Sequence, residues 1–79
     1  MSPAIFRDGQ YRFYFFSREE PRCHVHVQCP DGEAKFWLEP QLALAQNHGL
    51  TDRQLRTAAG LIEVHADEIR TAWNRHFGG

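Results

Sequence analysis

Two turn signals divide the first half of the chain into short segments, and they constrain the fold more than any other feature. Asp8-Gly9 is typical of a two-residue hairpin turn, because both central positions need a positive φ that this pair tolerates. In Pro30-Asp31-Gly32, proline pre-sets φ and glycine accepts the left-handed conformation. Short turns join antiparallel neighbours, so the sequence predicts an antiparallel meander.

Four predicted strands flank these turns. Tyrosine and phenylalanine make up most of the second strand, which favours a central position in the sheet. A run of charges ending in Pro21 then predicts a loop. The predicted strands are Ala4–Arg7, Gln10–Phe16, Cys23–Gln28 and Glu33–Leu38, and the predicted loop is Ser17–Arg22.

A short helix is predicted after the strands. Pro40 suits its first turn, Leu42–Gln46 its body, and Gly49 the position just past its end. We expect this helix to lie at the edge of the sheet.

A long amphipathic helix is predicted in the C-terminal third. Thr51 and Gln54 have the spacing of a capping box, and apolar residues then recur at helical spacing to about His76. The predicted fold class is therefore α+β, with a four-stranded antiparallel meander, a short helix and one long C-terminal helix packed on one sheet face. We expect a single domain over residues 1–79.

Size and charge narrow the classes of function. A chain of 79 residues is near the lower limit for a self-sufficient core. Its net charge of -1 gives no overall attraction to nucleic acid or to an anionic membrane, so any such binding must be local. The absence of a signal peptide and of a long apolar run favours the cytoplasm. On one strand, Cys23 and Cys29 would lie about 20 Å apart, too far for a disulfide.

The segment from Pro21 to Val27 places two histidines, His24 and His26, on one face of a strand. The number of residues in the next turn decides which face that is. A loop of two or four residues puts both histidines beside Lys35 and Trp37. A three-residue loop instead moves them toward the apolar residues of the fourth predicted strand. We favour the even loop because it keeps both sheet faces consistent.

With the even loop, six side chains share the sheet face away from the long helix. Arginine and lysine suit phosphate, aromatic rings offer stacking surfaces, and a histidine pair can transfer protons in RNA cleavage. The alternative hypothesis is an ordinary solvated sheet face with Trp37 partly covered. The candidate residues are Arg12, Tyr14, His24, His26, Lys35 and Trp37.

A metal site is a further alternative. His24 and His26 can chelate from one strand, with Glu33 or another histidine as third ligand, but two ligands do not make a site. We therefore predict no metal and no other cofactor. His65 is expected to be a contact at the margin of the core, and Cys29, next to a turn, is expected to be exposed.

Four segments resemble a family of short bacterial proteins catalogued as domain of unknown function four-one-six-zero. They are Ala4–Arg7, Phe13–Pro21, His24–Val27 and Gly32–Leu38, and the ending Ala72–Phe77 is also similar. Many members have a proline directly before the first histidine, where this chain has Arg22-Cys23. The resemblance implies a gene neighbour that encodes a second small domain, in the arrangement of a toxin–antitoxin pair. It brings no established catalytic residues.

The leading hypothesis is a protein-interaction module, the toxin-like half of such a pair, with an aromatic patch at Tyr14, Phe16 and Trp37 open to its partner. The expected partner is a small protein encoded by a neighbouring gene; RNA and a second copy of the chain are alternatives, and no membrane is expected. A second hypothesis is a ribonuclease in which His24 and His26 exchange protons. In it, Arg12 and Lys35 hold the phosphate.

Overall fold

The computed structural model describes residues 4–15 and 21–78, and these form one antiparallel sheet followed by helices. The strands lie side by side in chain order, which confirms the α+β class and the meander. Phe16 and residues 17–20 of the predicted loop lie outside the described residues. The elements are β1 (Ala4–Asp8), β2 (Tyr11–Tyr14), β3 (His24–Cys29), β4 (Gly32–Trp37), β5 (Ala43–His48), α1 (Asp52–Val64), α2 (Ala66–Trp73) and a π-helical turn at Asn74–Gly78.

A fifth strand replaces the predicted short helix, so the prediction of a helix over Leu42–Gln46 is wrong. Strand β5 pairs antiparallel with β4, with Leu44 opposite Phe36 and His48 opposite Glu33. Alanine, leucine and glutamine favour a helix locally, but a helix this short is marginal on its own. The free edge of β4 offers the same backbone a complete set of hydrogen-bond partners, and tertiary pairing prevails.

The predicted long helix is divided at His65, so its prediction as one continuous helix is wrong. His65 has φ -102° and ψ 18°, and α2 begins at the next residue. Its ring stacks on Phe6 of β1, with centroids 4.1 Å apart, and its Nδ1 lies 2.9 Å from Oε1 of Glu68. These contacts place His65 at the margin of the core, as expected. No proline or glycine marks this break in the sequence.

The start of α1 follows the predicted capping box. The Thr51 hydroxyl accepts a 3.1 Å hydrogen bond from the amide of Gln54, and the Thr51 amide donates 2.9 Å to the Gln54 side chain. The same Gln54 side chain donates 2.7 Å to Asp31 in the β3–β4 turn. The beginning of the helix is thereby tied to the end of the sheet.

Both hairpin turns have two residues. Asp8 lies opposite Tyr11, so the first turn is Gly9-Gln10, one residue later than predicted, with φ 57° at Gly9. Cys29 lies opposite Gly32, so Pro30-Asp31 forms the second turn and the even loop is confirmed. The three-residue alternative is therefore not formed.

The core lies between one sheet face and the two helices. Alternate residues of β2, β3 and β4 point toward it, and α1 and α2 cover them. In the described ranges, no helix is long and apolar enough to cross a membrane. The largest fully buried apolar side chains in the described residues are Phe13, Phe15, Val25, Val27, Ile62 and Ile69.

Candidate functional site

The six candidate residues share the sheet face opposite the core, which we call the polar face. Because residues directly opposite each other in a ladder share a face, the register arranges it in transverse rows. The first row is Arg7, Arg12, Gln28, Glu33 and His48; the second is Tyr14, His26, Lys35 and Gln46; the third contains His24 and Trp37.

Tyr14 connects the first two rows. Its ring stacks on that of His26, with centroids 5.4 Å apart, and the Arg12 guanidinium lies 4.9 Å from the Tyr14 ring centre. The Tyr14 hydroxyl donates a 3.0 Å hydrogen bond to Oε2 of Glu33, across the intervening strand β3. Glu33, which the sequence indicated only as a third metal ligand, therefore serves as a hydrogen-bond acceptor. These contacts hold Tyr14 in a buried position, so its predicted exposure is wrong.

His24 is a buried structural residue. It is 1 % exposed, and its ring lies 5.5 Å from that of Trp37 and 5.2 Å from that of Trp73 on α2. Its Nδ1 lies 2.6 Å from the main-chain oxygen of Arg22. A carbonyl oxygen only accepts, so this bond requires a hydrogen on Nδ1 of His24.

Trp37 is engaged by two cationic side chains. The guanidinium of Arg22 lies 4.2 Å from the ring centre, and the Lys35 ammonium lies 4.5 Å from it. Such cation–π contacts use the face on which a nucleobase would stack. Lys35 is itself only 8 % exposed, which differs from the alternative hypothesis of a solvated sheet face.

The six candidate residues therefore form a packed layer rather than an open patch. Arg12, His26 and Trp37 are half-buried, whereas Tyr14, His24 and Lys35 are buried. The rings of His24 and His26 are 5.2 Å apart, but a substrate has no access to His24 in this conformation. A proton-transfer pair needs both groups within reach of the substrate, so this geometry does not support the ribonuclease hypothesis.

A cavity of about 120 Å³ lies at the β5 end of this face. It is bordered by side chains of both signs, which include the two histidines His26 and His48. In residues 4–15 and 21–78, no group of three or more histidine, cysteine, aspartate or glutamate side chains is placed to hold a metal ion. The other residues around the cavity are Glu33, Ala34, Lys35 and Gln46.

Neither cysteine is activated as a nucleophile. Cys29 lies on the core side of β3 and is buried, so its predicted exposure is wrong; alternation places it with Val25 and Val27. Burial raises the pKa of Cys23 to about 11, the negative charge of Glu39 adds to the shift, and Arg70 opposes it. Both thiols are free.

The sequence did not indicate β5, which forms the outer edge of the sheet beside the polar face. Local composition there favours a helix, so only the pairing partner could have revealed the strand. Arg7 was also missed, because its place opposite Arg12 depends on the register of the first hairpin.

Comparison with known proteins assigns the chain to a family. A search of curated proteins and a search of solved structures each found no match. The family model described as "Domain of unknown function (DUF4160)" matches residues 10–74, which include β2 to β5, α1 and α2. The match thus covers the polar face except for β1, and the chain belongs to the DUF4160 family.

Proposed function

We propose that the protein is an interaction module that binds an extended segment of a second protein along β5. The supporting observation is the outer edge of this strand. Strand β5 pairs with β4 on one side only and is the last strand in the sheet order. An edge strand presents a row of backbone donors and acceptors to which another strand can add.

Strand β5 is better suited to this role than β1, the opposite edge. Its sequence, Ala-Leu-Ala-Gln-Asn-His, contains no lysine, arginine, carboxylate or proline, the residues that commonly protect edges. Strand β1 carries Arg7 and Asp8 and has a register shift near Phe6. Strand β5 has one register shift as well, opposite Lys35 and Phe36, and is otherwise regular.

Leu44 adds an apolar contact to this edge. It lies opposite the buried Phe36, on the core side of the sheet, yet 46 % of it is exposed. A strand added beside β5 would bury this side chain. Removing apolar surface from water is favourable by roughly 25 cal/mol per Å², so burial of Leu44 would favour binding.

The partner we propose is a small protein encoded by a neighbouring gene, with which this chain acts in the cytoplasm as one half of a toxin–antitoxin pair. The family resemblance supports the gene arrangement, and the low net charge supports recognition through backbone and apolar contacts rather than through charge. The partner's binding segment would be extended and largely uncharged, to match β5.

The test is a pair of lysine substitutions at exposed apolar residues. Leu44→Lys places a charge on the edge, whereas Val64→Lys changes a side chain that is 80 % exposed at the end of α1. We expect calorimetric titration with the neighbouring gene's product to show affinity at least about tenfold weaker for Leu44→Lys and unchanged for Val64→Lys. Amide hydrogen exchange in β5 should slow in the wild-type complex.

Three outcomes would overturn the proposal. They are absence of binding by the neighbouring gene's product, equal affinity of both variants, and unchanged exchange in β5. Light scattering gives a further check: a concentration-dependent dimer that Leu44→Lys abolishes would assign the edge to a second copy of this chain instead.

A further inference from the structure

Two arginines lie directly opposite each other at the corner of the sheet furthest from β5. Arg7 of β1 pairs with Arg12 of β2 in the ladder, and both belong to the first row of the polar face. Like charges at directly opposed positions destabilise a sheet. A fold that keeps them together without compensation carries a local cost, and such costs are often found at functional sites.

No carboxylate compensates this pair within the described residues. Asp8 follows Arg7 in the chain but lies opposite Tyr11, on the other sheet face. Glu33 is in the same row as Arg12 but lies two strands away, so their backbones are roughly 10 Å apart. The Glu33 carboxylate accepts a hydrogen bond from the Tyr14 hydroxyl.

Two other arginines, unlike Arg7 and Arg12, have a described contact with a glutamate residue. Arg22 donates a 2.9 Å hydrogen bond to the main-chain oxygen of Glu39, and Arg70 donates 3.2 Å to its carboxylate. Arg12, in comparison, makes its described contact with the Tyr14 ring, and Arg7 is exposed.

A cavity of about 200 Å³ opens beside the pair. This volume is several times the ~30 Å³ that one water molecule occupies in the liquid, so it accommodates a phosphate group with bound water. Gln10 and Gln28 also line the cavity, and a glutamine side chain can donate hydrogen bonds without adding negative charge. Arg7, Arg12, Cys29 and Pro30 complete its lining.

We infer that Arg7 and Arg12 form a binding site for a dianionic phosphate group, of the kind carried by a phosphate monoester. Guanidinium groups bind phosphate oxygens through paired hydrogen bonds. A dianion neutralises both arginines, whereas a carboxylate would leave one charge uncompensated. One arginine pair on a chain of net charge -1 fits a single phosphate group rather than a nucleic-acid backbone. The site is separate from β5 and does not depend on the function proposed there.

The test is an NMR titration of the labelled protein with inorganic phosphate at about pH 7.5, where the dianion predominates, with ionic strength held constant by chloride. We expect saturable shifts of the backbone amides of Arg7, Gln10, Arg12 and Gln28. Arg7→Gln and Arg12→Gln should each weaken binding at least about fivefold. The control Arg56→Gln removes an exposed arginine from α1 and should leave the affinity unchanged. An otherwise unchanged spectrum of each variant shows that it is folded.

Parallel titrations define the ligand. Phenyl phosphate and a phosphoserine peptide distinguish a free phosphate ester from a phosphorylated partner, and saturable binding of either supports the site. Absence of saturable shifts with phosphate would overturn the inference. Equal affinity for acetate would overturn the dianion assignment, and tighter binding of an oligoribonucleotide without terminal phosphates would assign the arginines to nucleic acid instead.

Discussion

The Nδ1 atom of His24 lies 2.6 Å from the main-chain oxygen of Arg22, which is hydrogen-bond distance. This contact joins the His24 ring to the segment that leads into β3. Because the same ring also contacts Trp37 and Trp73, His24 joins the polar face to α2. Because His24 is buried and His26 is half-buried, we expect His24 to contribute more to the stability of the native state.

Substitution of the two histidines should therefore have unequal effects on stability. His24→Ala removes a buried ring and its hydrogen bond, and we expect it to lower the free energy of unfolding by about 2–4 kcal/mol. His26→Ala removes a half-buried ring stacked on Tyr14 and should cost about 1 kcal/mol. Urea unfolding of both variants measures the difference, and equal losses would contradict a structural role specific to His24.

The thiol of Cys23 should react slowly, because burial and Glu39 raise its pKa from 9.0 to about 11. At about pH 8, the thiolate fraction should be roughly a hundredfold lower than in the unfolded chain, and alkylation of Cys23 should slow accordingly. Mass spectrometry of the Cys23 peptide, with urea-unfolded protein as the control, measures this rate. Alkylation as fast as in urea would contradict the shift.

The raised pKa of Cys23 also affects the stability of the native state at alkaline pH. Below pH 9.0 the thiol is neutral in both states, and its contribution to stability is fully present. Between pH 9.0 and about 11 the unfolded chain loses the proton first, so the native state becomes less stable as pH rises.

Two glycine-to-alanine changes should act in opposite directions. A Cβ at Gly32 would collide with the main-chain oxygen of His48, so Gly32→Ala forces strand β5 away from β4. We expect a loss of more than about 2 kcal/mol. Gly60 lies in α1 and has no atom within 4 Å of an added Cβ, so Gly60→Ala should gain about 0.5–1 kcal/mol. Thermal unfolding measures both, and a neutral Gly32→Ala would contradict the close approach of the turn to β5.

Two threonine-to-alanine changes in the region of α1 provide a matched pair. Thr51→Ala removes the N-cap oxygen and should cost about 1 kcal/mol. The hydroxyl of Thr57 bonds only the preceding turn, at Arg53, and is exposed, so Thr57→Ala should be neutral or slightly stabilising. Equal losses in urea unfolding would show that the Thr51 cap contributes no more to stability than the exposed hydroxyl of Thr57.

The parts of the fold that followed from sequence are those set by neighbours along the chain. The capping box needs only Thr51 and Gln54, three residues apart, and the structure contains it. The even loop at Pro30-Asp31 follows from keeping Val25 and Val27 on the apolar face, and the register agrees. In each case local chemistry and global packing favour the same conformation.

Strand β5, the break at His65 and the burial of Tyr14, His24 and Lys35 were decided by tertiary structure. Local sequence around Leu44 favours a helix, and only the hydrogen-bonding edge of β4 makes it a strand. Nothing local interrupts the helix at His65; its contact with Phe6 comes from the opposite end of the chain.

For the candidate residues, too, local sequence and tertiary structure determine different properties. Alternation along each strand, together with the even loop at Pro30-Asp31, predicted that Tyr14, His24 and Lys35 share a face, and the register agrees. Whether that face is open depends on cross-strand rings and on Trp73 from α2, which are distant in sequence. The sequence by itself thus predicted which of the six candidate residues share a face, and the tertiary structure decided which of them a ligand can reach.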